Sequence, residues 1–133
     1  MCLLRKRLRC LPNDMLRGRV ITGLGEGRKL GYPTANLDCD DTNVEGGVYA
    51  AFVVYRGHEY PAALMIGGDF GTDTKRKVEV HLLGEDMSLV GEELAVRVVA
   101  RVSAMEHVSG LPALHAKIEN DIRMIQVICL QAL

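Results

Sequence analysis

Residues 23–36 read Gly23-Leu-Gly-Glu-Gly-Arg-Lys-Leu-Gly-Tyr-Pro-Thr-Ala-Asn36. Glycines at this density let a backbone approach a ligand closely and turn its N–H groups inward. Arg28 and Lys29 add positive charge, and Thr34 and Asn36 add small neutral oxygens of the kind a hard cation accepts. Together they suit a nucleotide's phosphates and their magnesium; the plainer alternative is a Gly-rich surface loop ending in an X-Pro turn. The element that follows the loop decides the fold. A dinucleotide fingerprint needs a helix directly after its glycines and a parallel partner strand. Here Pro33 follows closely and no helical period appears. Gly-Lys-Ser/Thr, the end of a Walker A loop, does not occur.

The flanking segments read as strands joined by tight turns. Leu16 to Thr22 is a short β-branched run that delivers the chain to Gly23. Leu37 to Asn43 is rich in turn formers and reads as a loop. Gly47 to Tyr55 is almost continuously apolar, as expected of a strand covered on both faces. Arg56-Gly57 reads as a hairpin turn, and His58 to Ile66 returns, with Pro61 pointing to an edge or a bulge. Asp69 to Lys77 is polar and reads as mobile. Val78 to Leu83 places Val78, Val80 and Leu82 on one face. Met87 to Gly91 is an extended link, and Glu93 to Val102 is a long strand. From Ser109 the period changes. Leu111, Leu114, Ile118, Ile122, Ile125 and Cys129 form one helical stripe, with Ser109 suited to cap it and Pro112 to its first turn. Successive strands through tight turns are antiparallel. The expected fold is therefore all-β, a small antiparallel barrel with a C-terminal α-helix packed on it.

Composition narrows the function. The chain has 133 residues, 48% hydrophobic and 25% charged, with a net charge of −1, which suits one globular domain. Residues 1–14 form a basic arm carrying Arg5, Lys6, Arg7 and Arg9, and residues 15–133 form the barrel domain. Near-zero net charge, no Trp and two Phe argue against a nucleic-acid partner. No run is long enough to span a membrane, and the arm has no apolar core of a secretory signal. Cys2, Cys10, Cys39 and Cys129 have no metal-ligand spacing, so reduced thiols and a cytoplasmic location are expected.

The motifs resemble the riboflavin kinase family. Gly27-Arg-Lys-Leu-Gly-Tyr-Pro-Thr-Ala-Asn-Leu37 looks like its Pro-Thr-Ala-Asn signature. Gly46-Gly-Val-Tyr49, Met65-Ile-Gly67, Val78-Glu-Val-His-Leu-Leu83, Val90-Gly-Glu-Glu-Leu94 and the Leu114 to Ile122 helix follow in the family's order. The resemblance covers about residues 17 to 125. It implies a closed six-stranded Greek-key barrel and ATP-dependent phosphorylation of the riboflavin 5′-hydroxyl to give FMN. It implies Mg²⁺, or another divalent metal, held by Thr34 and Asn36. The nucleotide would lie against Gly23, Gly25, Gly27, Arg28, Lys29, Gly31, Thr34 and Asn36, and Glu79 would be the general base. The expected partners are small molecules, riboflavin and ATP, with a monomeric chain. By alternation alone Glu79 would face solvent, and His81 would be a strand-surface residue.

Three places depart from the family pattern. Glu26 stands where members often carry a base or glycine. Asp69-Phe-Gly-Thr-Asp73 lacks the usual Pro-Thr-Phe. Val102 to Val108 lacks the Arg and Phe that help to enclose the flavin. These departures motivate the alternative of a non-catalytic flavin- or nucleotide-binding barrel.

Overall fold

The structure is a computed structural model that describes residues 14–22, 31–39, 45–67, 76–105 and 108–133. Six strands close into one antiparallel barrel: β1 Met15–Ile21, β2 Ala35–Asp38, β3 Gly47–Tyr55, β4 His58–Ile66, β5 Val78–Leu82 and β6 Glu93–Ser103. One helix, α1 Leu111–Gln131, follows. Around the barrel the order is β1-β2-β5-β4-β3-β6. Strands β3, β4 and β5 are consecutive neighbours and β2 lies beside β5, which is a Greek key.

Alternation fills the interior. Leu16 and Val20 of β1, Leu64 and Ile66 of β4, Val78, Val80 and Leu82 of β5, and Leu94, Val96 and Val98 of β6 all point inward. Val48, Ala50, Phe52 and Ala63 point outward from β3 and β4 and are covered by Ile125 and Cys129 of α1. That second layer explains why β3 is apolar throughout: its two faces belong to two different cores. The β3–β4 hairpin turns through Arg56 and Gly57 with φ of 49° and 79°, the left-handed pair that a two-residue hairpin requires.

Several expectations are corrected. The segment from Leu37 is not a loop at its start. Leu37 is 4% exposed and belongs to β2, which pairs Asn36 with Glu79 and Leu37 with Val78. Pro61 lies on no bulge, but it does begin an open edge, since His58 to Pro61 pair with β3 and not with β5. It sits just past Ala62, where the β4–β5 ladder ends, and its carbonyl accepts the Leu83 N–H at 2.9 Å, so on the β5 side the ladder does not ask for the donor that proline lacks. The bulges lie instead in the β3–β6 register, at Val48/Tyr49 and Ala50/Ala51. Ser109 does not cap α1. The cap is Gly110 with φ of 85° and no side-chain bond, while Pro112 does occupy the first turn. Cys39 and Cys129 are buried free thiols. The basic arm before Asp14, most of the polar stretch 69–77, Cys2, Cys10 and Glu26 lie outside the described residues.

Candidate active site

A row of outward-facing positions crosses the sheet in register: Asn36 on β2, Glu79 on β5, Met65 on β4, Val48 on β3 and Ser103 on β6. The next row holds His81 on β5 and Ala63 on β4. Helix α1 stands over these rows. Between them lies a cleft of about 340 Å³, with Met65, Val48 and Ala63 as floor and Leu114, Ile118, Ile122 and Ile125 as roof. The helical stripe thus divides its work. Ile125 and Cys129 are buried against the barrel, while Leu114, Ile118 and Ile122 are half-buried and line the cleft.

Glu79 faces this cleft, so the solvent-side reading of its alternation is only half right: it points out of the barrel but into a roofed space. Thr34 Oγ1 donates to Glu79 Oε1 at 3.2 Å, and Lys77 Nζ lies 3.7 Å from the same oxygen. Both contacts fall on Oε1, and Glu79 lines the cleft. Thr34 precedes β2 and continues the face of Asn36, so Thr34, Asn36 and Glu79 converge where β2 meets β5. A second hollow on the other side of Thr34 and Asn36 is walled by Thr22, Pro33, Ser88 and Asp86. Thr22 and Gly31 are the two ends of the glycine-rich segment, and Gly31 has φ of 88°. Gly23, Gly25, Gly27, Arg28 and Lys29 lie outside the described residues.

His81 is not a surface residue. It is 9% exposed, and its Nδ1 lies 2.8 Å from the Pro33 carbonyl oxygen. A carbonyl only accepts, so Nδ1 carries the hydrogen. The Tyr32 ring meets His81 edge-on at 5.7 Å and His115 of α1 at 5.5 Å. Tyr32-Pro33-Thr34 is therefore fixed to β5 and to the helix together, which sets where the Thr34 hydroxyl points.

Sequence reasoning did not find Lys77, Lys117 and Asp121 as cleft residues. Lys77 shares the outward face of Glu79 by the two-residue period. Lys117 and Asp121 are one helical turn apart, a spacing visible in the sequence, and they border the apolar stripe.

The sequence model of one family, riboflavin kinase, matches residues 13–129 of this chain. The chain belongs to the riboflavin kinase family. It is 25% identical over 114 residues to the RNA-binding riboflavin kinase RibR of Bacillus subtilis (strain 168), covering 84% of this chain and 49% of that protein. It is 31% identical over 109 residues to the bifunctional riboflavin kinase/FMN adenylyltransferase of Escherichia coli (strain K12), covering 80% of this chain and 35% of that one. The chain thus spans half or less of these riboflavin kinase relatives. The crystal structure of riboflavin kinase from Trypanosoma brucei superposes with a TM-score of 0.61 at 25% identity, over 84% of this chain and 76% of that one. The barrel with one C-terminal helix is thus the riboflavin kinase architecture. Among the described residues no helix is long and apolar enough to cross a membrane.

Proposed function

We propose that this chain phosphorylates riboflavin at its ribityl 5′-hydroxyl, using ATP as donor and a divalent cation, with Glu79 as general base. The observation that carries this reading is the Thr34–Glu79 contact at the mouth of an apolar cleft large enough for a flavin-sized ligand. The proposed working unit is the barrel domain of residues 15–133, acting as a monomer.

The residues fit the cation. Among the described residues no three His, Cys, Asp or Glu side chains cluster into an all-protein cage. Thr34 and Asn36 instead offer two neutral oxygens on one face beside a carboxylate. That sparse donor set suits magnesium, which keeps most of its coordination for water and phosphate. When bound there, the cation would neutralise charge on the transferring phosphate.

The chain's own part is alignment and proton transfer. Glu79 Oε2 accepts the proton of the ribityl hydroxyl. The ribityl 5′-oxygen forms a bond to the γ-phosphorus as the bond from the γ-phosphorus to the bridging oxygen breaks, and ADP leaves. Thr34 orients the carboxylate through Oε1, and the Lys77 ammonium stands 3.7 Å from the same oxygen. The roof residues Leu114, Ile118 and Ile122 exclude water from the ring. Arg28, Lys29, Gly31 and the amides of Gly23, Gly25 and Gly27 are proposed for the phosphates.

The test is conversion of riboflavin to FMN with Mg-ATP, separated chromatographically. Glu79→Gln keeps the shape and the Thr34 contact but removes the base. A loss of about 10²–10⁴-fold in kcat is expected, with riboflavin and ATP still bound. Binding of both substrates by the native chain without turnover would favour the non-catalytic barrel, which the altered residues at 102–108 motivate.

A further inference from the structure

The flank of α1 turned toward β6 and β1, away from the cleft, is apolar and open. Lys117 Nζ donates to Ser103 Oγ of β6 at 3.1 Å, while Ile122 and Gln126 look the other way, toward Leu83 and Gly84 beyond β5. Met124 stands two turns on from Lys117 and so shares the β6 side, with Val127 one turn further. Met124 and Val127 are 45% and 57% exposed, and Met15, at the start of β1, is 41% exposed. No charged residue occurs from Met124 to Leu133.

An exposed strip alone names no partner, but the sheet beside it does. β3 pairs with β6 as far as Ser103. β1 pairs with β6 only from Glu93 to Arg97, and one further bond runs from the Val98 N–H to the Asp14 carbonyl at 2.8 Å. Among the described residues, β6 from Val99 to Ser103 therefore has no strand on its β1 side. This gap lies alongside α1. Cys129 Sγ donates to the Ala51 carbonyl of β3 at 3.6 Å, and Ala51 pairs with Val98. Asp14 is thus two strand spacings, about 10 Å, from the strand under the helix. Packed helices stand about 8–10 Å apart, so a segment laid in the gap meets α1 at ordinary packing distance.

Residues 1–13 join the barrel at Asp14, at one end of the gap. Followed backward from there, the line of β1 continues past Val99 toward Ser103. The sequence of the arm suits that place. Leu4, Leu8 and Leu11 are spaced i, i+4, i+7, one helical stripe, with Arg5, Lys6, Arg7 and Arg9 off it and Pro12 closing the run. Nine residues of helix span about 14 Å and five of strand about 16 Å. So short a helix is marginal alone in water and needs an apolar surface to lie on. The cations answer a second need. α1 has no basic residue in its last turn, where the helix dipole favours positive charge.

We propose that residues 3–11 pack in this gap as a strap along α1, with Leu4, Leu8 and Leu11 against Met124 and Val127. The strap braces the helix from the side opposite the cleft. Its partner is this chain's own α1, neither a second copy nor a lipid surface.

The chain supplies its own probe. Cys39 and Cys129 are buried thiols, so in full-length Cys10→Ser a nitroxide reagent labels Cys2. The ¹⁵N spectrum should then show Met124, Val127 and the amides of 99–103 broadened, with recovery when the nitroxide is reduced and no effect at Ile21. Leu8→Asp leaves the barrel core untouched. It should lower the docked-to-free ratio of the arm about tenfold or more, the scale of burying one leucine, and restore those signals. Broadening spread evenly over the surface, or absent from α1, overturns the proposal, and so does broadening that survives Leu8→Asp. Broadening carried from a labelled ¹⁴N chain to an unlabelled ¹⁵N chain assigns the strap to a second copy and overturns it as well. An arm that leaves α1 unaffected and binds phosphatidylglycerol vesicles assigns it to a lipid surface, with the same consequence.

Discussion

His81 is the residue whose replacement separates a positioning role from a catalytic one. Its Nδ1–H holds the Pro33 carbonyl at 2.8 Å, and Pro33 carries Thr34, whose hydroxyl holds Glu79. Removing the donor leaves a half-buried carbonyl without its partner. That costs about 1–2 kcal/mol, a factor of roughly 5–30 in the population of the aligned Thr34. Two substitutions test the route. In His81→Asn the amide nitrogen lies the same number of bonds from Cα as Nδ1, so the bond to Pro33 is retained and kcat should stay within about threefold of native. In His81→Gln the nitrogen lies one bond further out, near the place of Nε2. There kcat should fall by the roughly 5–30-fold given above, with the KM for riboflavin nearly unchanged. Steady-state kinetics and melting temperature are measured for both. High activity in His81→Gln with loss in His81→Asn would mean that Nε2 touches substrate directly and would refute the reasoning. So would equal activity of the two at native melting temperature. The tautomer offers an independent check on the native chain. Long-range ¹H–¹⁵N correlation should show the hydrogen on Nδ1, and an Nε2–H form would remove the premise.

Other perturbations have defined outcomes. A Cβ on Gly18 would meet the Asp38 carbonyl oxygen at 2.6 Å, where β1 pairs with β2, so Gly18→Ala should destabilise by about 1–3 kcal/mol in urea unfolding. Ile125 is 0% exposed between α1 and the barrel and also lines the cleft. Ile125→Ala should cost about 2–5 kcal/mol and raise the KM for riboflavin more than that for ATP. Burial pushes the Cys129 thiol above its ordinary value of 9.0, so iodoacetamide should not label it in the folded chain at neutral pH. The sign of the linkage follows: the neutral thiol's contribution to stability is complete below about pH 9 and declines as pH rises through the folded-state value, which denaturation at pH 8 and pH 10 will show.

Much of the barrel is legible in local pattern, because alternation and turn chemistry act over a few residues. Gly47 to Tyr55 reads as a strand covered twice, and Arg56-Gly57 as its turn. β2 escapes because it is four residues long and runs into turn formers, so its strand character comes from pairing with β5 and β1 rather than from its own composition. The candidate site is legible where a motif names residues that the fold brings together, at Thr34, Asn36 and Glu79. It was not legible where a partner is remote. Pro33 lies 48 positions from His81, and nothing near His81 announces that it is buried. Likewise the stripe on α1 does not reveal which of its members meet the barrel and which roof the cleft, since both environments select the same apolar side chains.

Strand β5 interleaves two alphabets. Val78, Val80 and Leu82 face the barrel's interior, while Glu79 and His81, with Lys77 just before the strand, face the cleft, and neither set can move without the other. Losing or gaining one residue there would put the carboxylate into the barrel's interior and a valine into the cleft. Drift among apolar residues on the inner positions is therefore free to proceed without touching the cleft, whereas insertions and deletions in this strand disturb core and cleft in one event.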